Sequence, residues 1–437
     1  MKILVVTNLY PPHLADTDNY RCQNVTESLR ERGHTVRVLT STHGLASEQR
    51  DALTERRLQL NGVFGHPEVT GMADLRKIET HNNAALRDSL AGFSPDLVHV
   101  WSMRGLSKSL LLTLRRLNIP TAFDVADSWM SDELRSDPWL AWWHRKHVPL
   151  VHRLQRGVVE FLDMRVKWDD ATPVFIEPGV RRMPGIFDRD PDDAFKPNSI
   201  ASFQFRRLYF SSPALKTATE QAGFRVSHGE VIHPGVNTKL FHGEVKRSSE
   251  PVKKFLIVTR ITPNCGIGTA IEALKLVRAQ GAKATLTVYG RGSSEVMAKL
   301  RTQAVQGDAA VEFRSGGMQR ELPLIYHSHD AFIYPVEREE ASVDTPLEAM
   351  ACGLPVIVNQ DHGAENLFRS RESCLSFPSG DPGLLASRML ELIQTPNLAD
   401  HISQVGQNEV LTRYQFTTTV DQIEQYLDGT VVQWQSS

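Results

Sequence analysis

Cysteine is scarce in this chain: four occur in 437 residues, Cys22, Cys265, Cys352 and Cys374, and none forms a CxxC pair. Neither a disulfide framework nor a zinc cluster is suggested, and a reducing compartment fits best. Charge of one sign is missing too, since 49 Lys plus Arg stand against 51 Asp plus Glu, a formal net charge of −2. No global field gathers polyanions, so nucleic acid is not an expected partner. Long apolar runs are absent, and no window approaches the roughly 20 residues that cross a bilayer. The amino terminus MKILVVTNLYPP has one lysine and only about five apolar residues before Thr7, too few for a signal-peptide core. A soluble, cytoplasmic chain is expected, with peripheral contact at the inner face of a membrane left open. Composition is otherwise ordinary, 41% hydrophobic and 23% charged with 28 Gly and 23 Pro, and the length calls for about two or three domains.

What is present is a repeated strand and helix rhythm. Residues 3–6 are a short β-branched run that stops at Thr7 and Asn8, as a buried parallel strand does. The spacing predicts a helix over 25–32 closed by Gly33, then a strand over 36–39. Strands over 97–100 and 121–125 flank a helix over 106–117. Such alternation implies a parallel sheet covered on both faces. The rhythm breaks from 138 to 200, where Trp139, Trp142 and Trp143 precede the basic run HRKHVPLVHRLQR and a proline-rich stretch, and an insertion is expected there. It resumes with a strand over 207–211, a helix up to Ala222 and a strand over 231–233, before polar VKRSSEPVKK at 245–254 marks a domain boundary.

The second half repeats the plan, with strands over 255–259, 284–289, 311–314, 331–334 and 355–358 and helices over 267–278, 296–305, 322–327 and 345–351. A helical region over 383–427 follows. The domains expected are 1–245, 246–410 and a terminal helix in 411–437 that packs back on the first. In doubly wound sheets the ligand binds beyond the carboxyl ends of the strands, so the loops there carry the function.

The densest motif is EREEASVDTPLEAMACGLPVI at 337–357. Glu340 and Glu348 stand eight apart, the first on a loop leaving a strand and the second in the first turn of a helix. A helix start offers N–H groups and a positive dipole end to an anion, and a carboxylate beside it can accept the paired hydroxyls of a ribose. Nucleotide binding is one reading; the other is that first-turn acids merely complement the dipole.

This segment resembles the E-x7-E region of retaining glycosyltransferases of family 4, whose usual form is EEPFGxxxLEAMACGxPVI. Further features follow in family order: YPPH at 10–13, GHTVRVLTS at 33–41, PDLVHVW at 95–101, HPGVNTKLF at 233–241, VTRITPNCGIGTAIEAL at 258–274 and SGDPGLLA at 379–386. The resemblance spans nearly the whole chain. It implies the GT-B fold, two Rossmann-like doubly wound domains facing each other across a cleft, with the donor held mainly by the second. It also implies transfer of a sugar from a nucleotide sugar to an acceptor hydroxyl with retention, with no cofactor and no metal. Carbohydrate, lipid-linked and small-molecule acceptors all stay open. On the matching positions, Arg260 would neutralise the donor diphosphate, which suits a forked, permanently charged guanidinium. Glu348 would hold the ribose, Glu340 would orient the transferred sugar, and the backbone amides of Asp344 and Thr345 would approach the diphosphate.

Departures from the family pattern gather on the same ligand positions. The family R-x4-K-G reads Arg260-Ile-Thr-Pro-Asn-Cys265-Gly266, so a lysine has become cysteine. The first-domain glycine pair reads Asp16-Thr17, the His-Asp pair after the third strand reads Ala126-Asp127, and Phe-Gly after the first glutamate reads Ser342-Val343. Asp127 retains the acidic half of its pair. Arg21, Arg104 and Lys108 are the cations that could restore the lost charge, and a noncatalytic relative that keeps the fold is the competing reading. Gly290-Arg291-Gly292 after a strand could approach a nucleotide, although it lacks the third glycine of a dinucleotide fingerprint. Cys265 reads as a small neutral substitute or as a thiol in a phosphate site. Residues 139–156, rich in Trp, Arg and Lys, read either as a solvated helix or as a contact with an anionic membrane surface.

Overall fold

A computed structural model describes residues 1–13, 18–69, 71–107, 109–130, 149–151, 153–154, 205–222, 224–245, 252–306, 310–315, 319–337, 343–360 and 369–436. The chain divides into two compact units, Met1–Ile232 with Val420–Ser437, and His233–Thr419. The division falls at 232–233 and not in the charged stretch at 245–254, because the HPGV segment pairs with the second unit: Val236 and the Tyr414–Phe416 backbone exchange hydrogen bonds of 2.8 and 2.9 Å. Most of the expected insertion at 138–200, and most of the basic segment 139–156, lie outside the described residues.

The first unit is built on β1 (Lys2–Val6), β2 (Thr35–Ser41), β3 (Gln49–Arg50), β4 (Thr54–Leu58), β5 (Leu97–Val100), β6 (Thr121–Val125), β7 (Leu208–Phe210) and β8 (Glu230–Val231). Its sheet runs β3-β4-β2-β1-β5-β6-β7-β8, parallel except for the β3 edge. Among the described residues it is covered by α1 (Asp18–Glu31), α2 (Met72–Phe93), α3 (Ser109–Arg116) and α4 (Pro213–Gln221), and the chain's last helix, introduced below, belongs to it from Val420 onward. The α1 helix starts seven residues before the expected 25, because its inward stripe of Arg21, Cys22, Val25, Thr26 and Leu29 has helical spacing but polar members.

Two elements of this unit bury polar and charged side chains beside their apolar ones. The β4 strand, TERRL, is buried along its whole length, and its charged side chains are partnered. Arg57 reaches Asp88 at 2.9 Å and Glu48 at 3.1 Å, and Arg56 donates to the carbonyls of Tyr10, at 3.0 Å, and Pro11. The α2 helix turns Glu79, Asn82, Asn83 and Ser89 inward. From α3, Ser109 Oγ donates to Glu79 at 2.5 Å and Thr113 to Asn83 at 2.6 Å, while Asn82 exchanges hydrogen bonds with the Gln59 backbone and Ser89 donates to Glu55 at 2.7 Å.

The second unit contains β9 (Lys254–Val258), α5 (Ile267–Ala279), β10 (Thr285–Tyr289), α6 (Ser294–Val305), β11 (Val311–Arg314), α7 (Leu322–His327), β12 (Ala331–Tyr334), α8 (Asp344–Ala351), β13 (Val356–Asn359), β14 (Leu375–Phe377), α9 (Pro382–Gln394) and α10 (Pro396–Arg413). Its sheet is wholly parallel in the order β11-β10-β9-β12-β13-β14. Alternation along the strands feeds two cores. Phe255, Ile257, Ile333 and Ile357 pack on one face with α5 and α9, while Leu256, Phe332, Tyr334, Val356 and Val358 pack on the other with α8. The last helix, α11 (Phe416–Gln435), opens in this unit and continues in the first. No described helix is long and apolar enough to cross a membrane.

Candidate active site

The residues singled out by the motifs of the second unit sit at the carboxyl edge of its sheet. Arg260 leaves β9, Gly290 leaves β10, and Asp344, Thr345 and Glu348 lie on the helix that follows β12. Arg260 is exposed, whereas Glu348 is only 7% exposed. The carboxylate of Glu348 is held by the Tyr326 hydroxyl, which donates to Oε2 at 2.9 Å. Burial, with the Glu348 charge adding to it, pushes the Tyr326 phenol well above its ordinary value, so it stays a donor. Asp344 and Thr345 open α8 without a side-chain cap, at positions whose amides an α-helix leaves without an intrahelical acceptor. Glu340 and Ser342 lie outside the described residues.

The glycines of this edge are explained by packing between its loops. The Ile261 amide bonds to the Arg291 carbonyl at 2.9 Å. A Cβ on Gly290 would stand 2.0 Å from the Thr259 carbonyl oxygen, and one on Gly292 would stand 2.4 Å from that of Ile261. The Gly-Arg-Gly turn is therefore a clasp on the Arg260 loop. On the other side, Gly266 caps α5 at φ 68°, with its missing Cβ replaced by the Pro335 carbonyl, and Thr269 donates to Glu337 at 2.9 Å. Arg260 is thus carried on a loop braced from both β10 and β12. Cys265, at the family's lysine position, is 2% exposed within the apolar core and presents no thiol to a phosphate.

In the first unit Asp127 lies just beyond β6. Both of its oxygens are occupied: Ser102 Oγ donates to Oδ2 at 2.5 Å, and the Trp129 amide donates to Oδ1 at 2.9 Å. Asn8, beyond β1, donates to Ser102 Oγ at 3.1 Å and to the Arg104 carbonyl at 3.0 Å, and Arg104 donates to Ser128 at 2.5 Å. Loops from three adjacent strands are thereby tied around the carboxylate.

Of the three cations that could have replaced the lost lysine, Arg21 is committed elsewhere. It forms a buried ion pair with Asp124 at 2.9 Å and lies over the Trp101 ring. Burial raises Asp124, while the Arg21 charge and hydrogen bonds from Arg21 and Tyr209 pull it back. Behind the pair, Trp101 Nε1–H donates to His99 Nδ1 at 3.2 Å, which assigns the proton to Nε2, and that nitrogen donates to the Tyr209 hydroxyl at 2.9 Å. Burial and the Arg21 charge push His99 down to about 3, so the ring is neutral. Lys108, Asp16 and Thr17 lie outside the described residues.

Two family models match this architecture unit by unit. That for glycosyl transferases group 1 covers residues 241–409, and that for a glycosyl transferase 4-like domain covers residues 19–155. The chain belongs to the family 4 glycosyltransferases. Amylovoran biosynthesis glycosyltransferase AmsK of Erwinia amylovora is 29% identical over 171 residues, 38% of this chain and 42% of the relative. A GDP-mannose-dependent alpha-(1-6)-phosphatidylinositol monomannoside mannosyltransferase of Mycobacterium tuberculosis is 25% identical over 215 residues, 46% of this chain and 56% of the relative. The chain thus spans about half the length of the curated relatives it matches. Among solved structures, sucrose-phosphate synthase from Thermosynechococcus elongatus matches with a TM-score of 0.67 at 18% identity, over 97% of each chain. Anabaena HepE, solved in complex with UDP-glucose, matches with a TM-score of 0.64 at 15% identity, over 98% of this chain and 100% of its own. The fold is GT-B, and the low identities mark a divergent member.

Proposed function

We propose that this chain is a glycosyltransferase that moves a sugar from a nucleoside-diphosphate sugar to an acceptor hydroxyl, with retention of configuration and without a required metal. The observation that carries this reading is the grouping of Arg260, the α8 amino end and the anchored carboxylate of Glu348 on one sheet edge. In the proposed reaction the guanidinium of Arg260 and the first-turn amides of α8 stabilise charge on the departing diphosphate. Glu348, fixed by Tyr326, accepts the ribose hydroxyls. Glu340 orients the sugar, and an acceptor hydroxyl attacks from the face the nucleotide leaves. Asp127, clamped at both oxygens, serves as an orienting group. The relatives' names point to carbohydrate or lipid-linked acceptors and to GDP- or UDP-linked donors.

A second reading, a noncatalytic binding subunit, is favoured by one observation: Cys265 is sunk in the core where the family has a charged lysine. Thermal unfolding with UDP-, GDP- and ADP-sugars separates the two. A donor present at about 100 times its Kd adds roughly 2.7 kcal/mol of stability, so the melting temperature rises by several degrees for a transferase. No shift with any donor up to millimolar concentration would favour the noncatalytic subunit.

A further inference from the structure

Three neighbouring parallel strands of the first unit, β4, β2 and β1, each release a loop at the carboxyl edge of the sheet, and each loop carries a histidine: His66, His43 and His13. The three rings converge. His43 Nδ1 and His66 Nε2 are 3.1 Å apart, and the His13 ring lies so close over Gly44 that a Cβ there would stand 2.5 Å from its Nδ1. Phe64 sets its ring against His43 with centroids 6.2 Å apart, and it does so from a left-handed φ of 52°, a conformation that costs a non-glycine residue about 1 kcal/mol or more. All three histidines are half-buried. The charges that act on His43 are those of His66 and His13, and burial together with these two holds its imidazole below the ordinary value. No carboxylate figures among them.

The chemistry of the pair is specific. In the neutral state one proton bridges His43 and His66, and of the two remaining ring nitrogens only one carries hydrogen. A single added proton keeps the bridge intact and makes both outer nitrogens donors on a monocation. Among the described residues no group of three His, Cys, Asp or Glu side chains is arranged to hold a metal ion.

We propose that His13, His43 and His66 form a subsite for a phosphate-type oxyanion, carried by the acceptor. An anion would balance the proton that three clustered imidazoles take up, and three N–H donors match the terminal oxygens of a phosphate. That the anion belongs to the acceptor rests on the transferase reading; the anion site itself does not.

The test is NMR of the imidazole nitrogens in the full chain, titrated with sodium sulfate, whose charge is constant across the range, at ionic strength held with chloride. The His43 and His66 signals should shift saturably, and binding should be at least about fivefold tighter at pH 6.0 than at pH 7.5, because the bound form carries the extra proton. His43→Gln and His66→Gln should each abolish the shift in a folded chain. Shifts that do not saturate, or that survive both substitutions, would overturn the site. A second titration with glycerol 1-phosphate addresses the source: tighter binding than sulfate supports an acceptor-borne phosphate, and equal or weaker binding rejects that assignment. Both titrations can succeed or fail whether or not the chain releases nucleotide from a sugar donor.

Discussion

Replacing Gly266 by alanine should disturb the second unit more than its small size suggests. The residue sits at φ 68°, and its added Cβ would stand 1.8 Å from the Pro335 carbonyl oxygen. The left-handed backbone costs about 1–2 kcal/mol for a residue with a Cβ. Relieving the overlap requires the Pro335 backbone to retreat by roughly 1 Å, which resembles overpacking of a core at another 1–3 kcal/mol. The sum, about 3 kcal/mol, corresponds to a fall of roughly 6–12 °C in the melting temperature of a unit this size. Gly281 is the internal control, since it has φ 85° and nothing within 4 Å of its would-be Cβ. Gly281→Ala should therefore cost only the backbone share, roughly 1 kcal/mol and 2–4 °C. Differential scanning calorimetry of both variants reads the difference. Equal losses would refute the claim that contact between the Arg260 loop and the exit of β12 is what demands glycine.

Three further outcomes follow from charged groups and thiols. Asp124→Ala leaves the Arg21 guanidinium buried without its partner and should cost about 3–5 kcal/mol in denaturant unfolding, most of it recovered in the Arg21→Met, Asp124→Leu double variant. Glu424 is held below the ordinary carboxylate value of 4.5, first by its hydrogen bond to His34 and then by Arg32. A depressed acid stabilises above its unfolded value and loses that contribution as pH falls, so wild type should exceed Glu424→Gln at pH 7, by no more than ~1 kcal/mol after solvent screening, and the two should converge by about pH 3. All four thiols are buried, and burial with the charges of Glu348 and Glu409 pushes Cys352 and Cys374 up to about 12. A disulfide reagent at pH 8 should label none of them in the folded chain and all four after unfolding.

How much of this was legible in the sequence depended on where apolar residues carry the pattern. The strands at 97–100, 121–125, 311–314 and 331–334 have the bounds their apolar runs dictate. In contrast, β4 went unread because it buries Thr, Glu and Arg, and α2 because Glu79, Asn82, Asn83 and Ser89 interrupt its apolar stripe of Leu75, Leu86, Leu90 and Phe93, with partners distant in sequence. Arg260, Asp344, Thr345 and Glu348 were singled out by the family resemblance, and they lie where a strand ends and a helix starts. Their supports were not. Tyr326 lies 22 residues before the carboxylate it holds, and Ser102 lies 25 before Asp127. The three histidines escaped for the same reason, since their meeting depends on the strand order β4-β2-β1 and not on any spacing along the chain. Arg21 shows the opposite error: a cation near a ligand loop in sequence is turned inward to an aspartate that only the fold brings near.

The most direct test of the central claim is release of nucleoside diphosphate from UDP-, GDP- and ADP-sugars, with sugar transfer followed by mass spectrometry of an acceptor mixture. A transferase should release one nucleotide preferentially. Arg260→Ala should slow that release by roughly 10²–10³-fold, the usual consequence of losing one preorganised group that stabilises developing charge. Release that occurs with none of the three donors, or that proceeds unchanged in both Arg260→Ala and Glu348→Ala, would contradict the assignment.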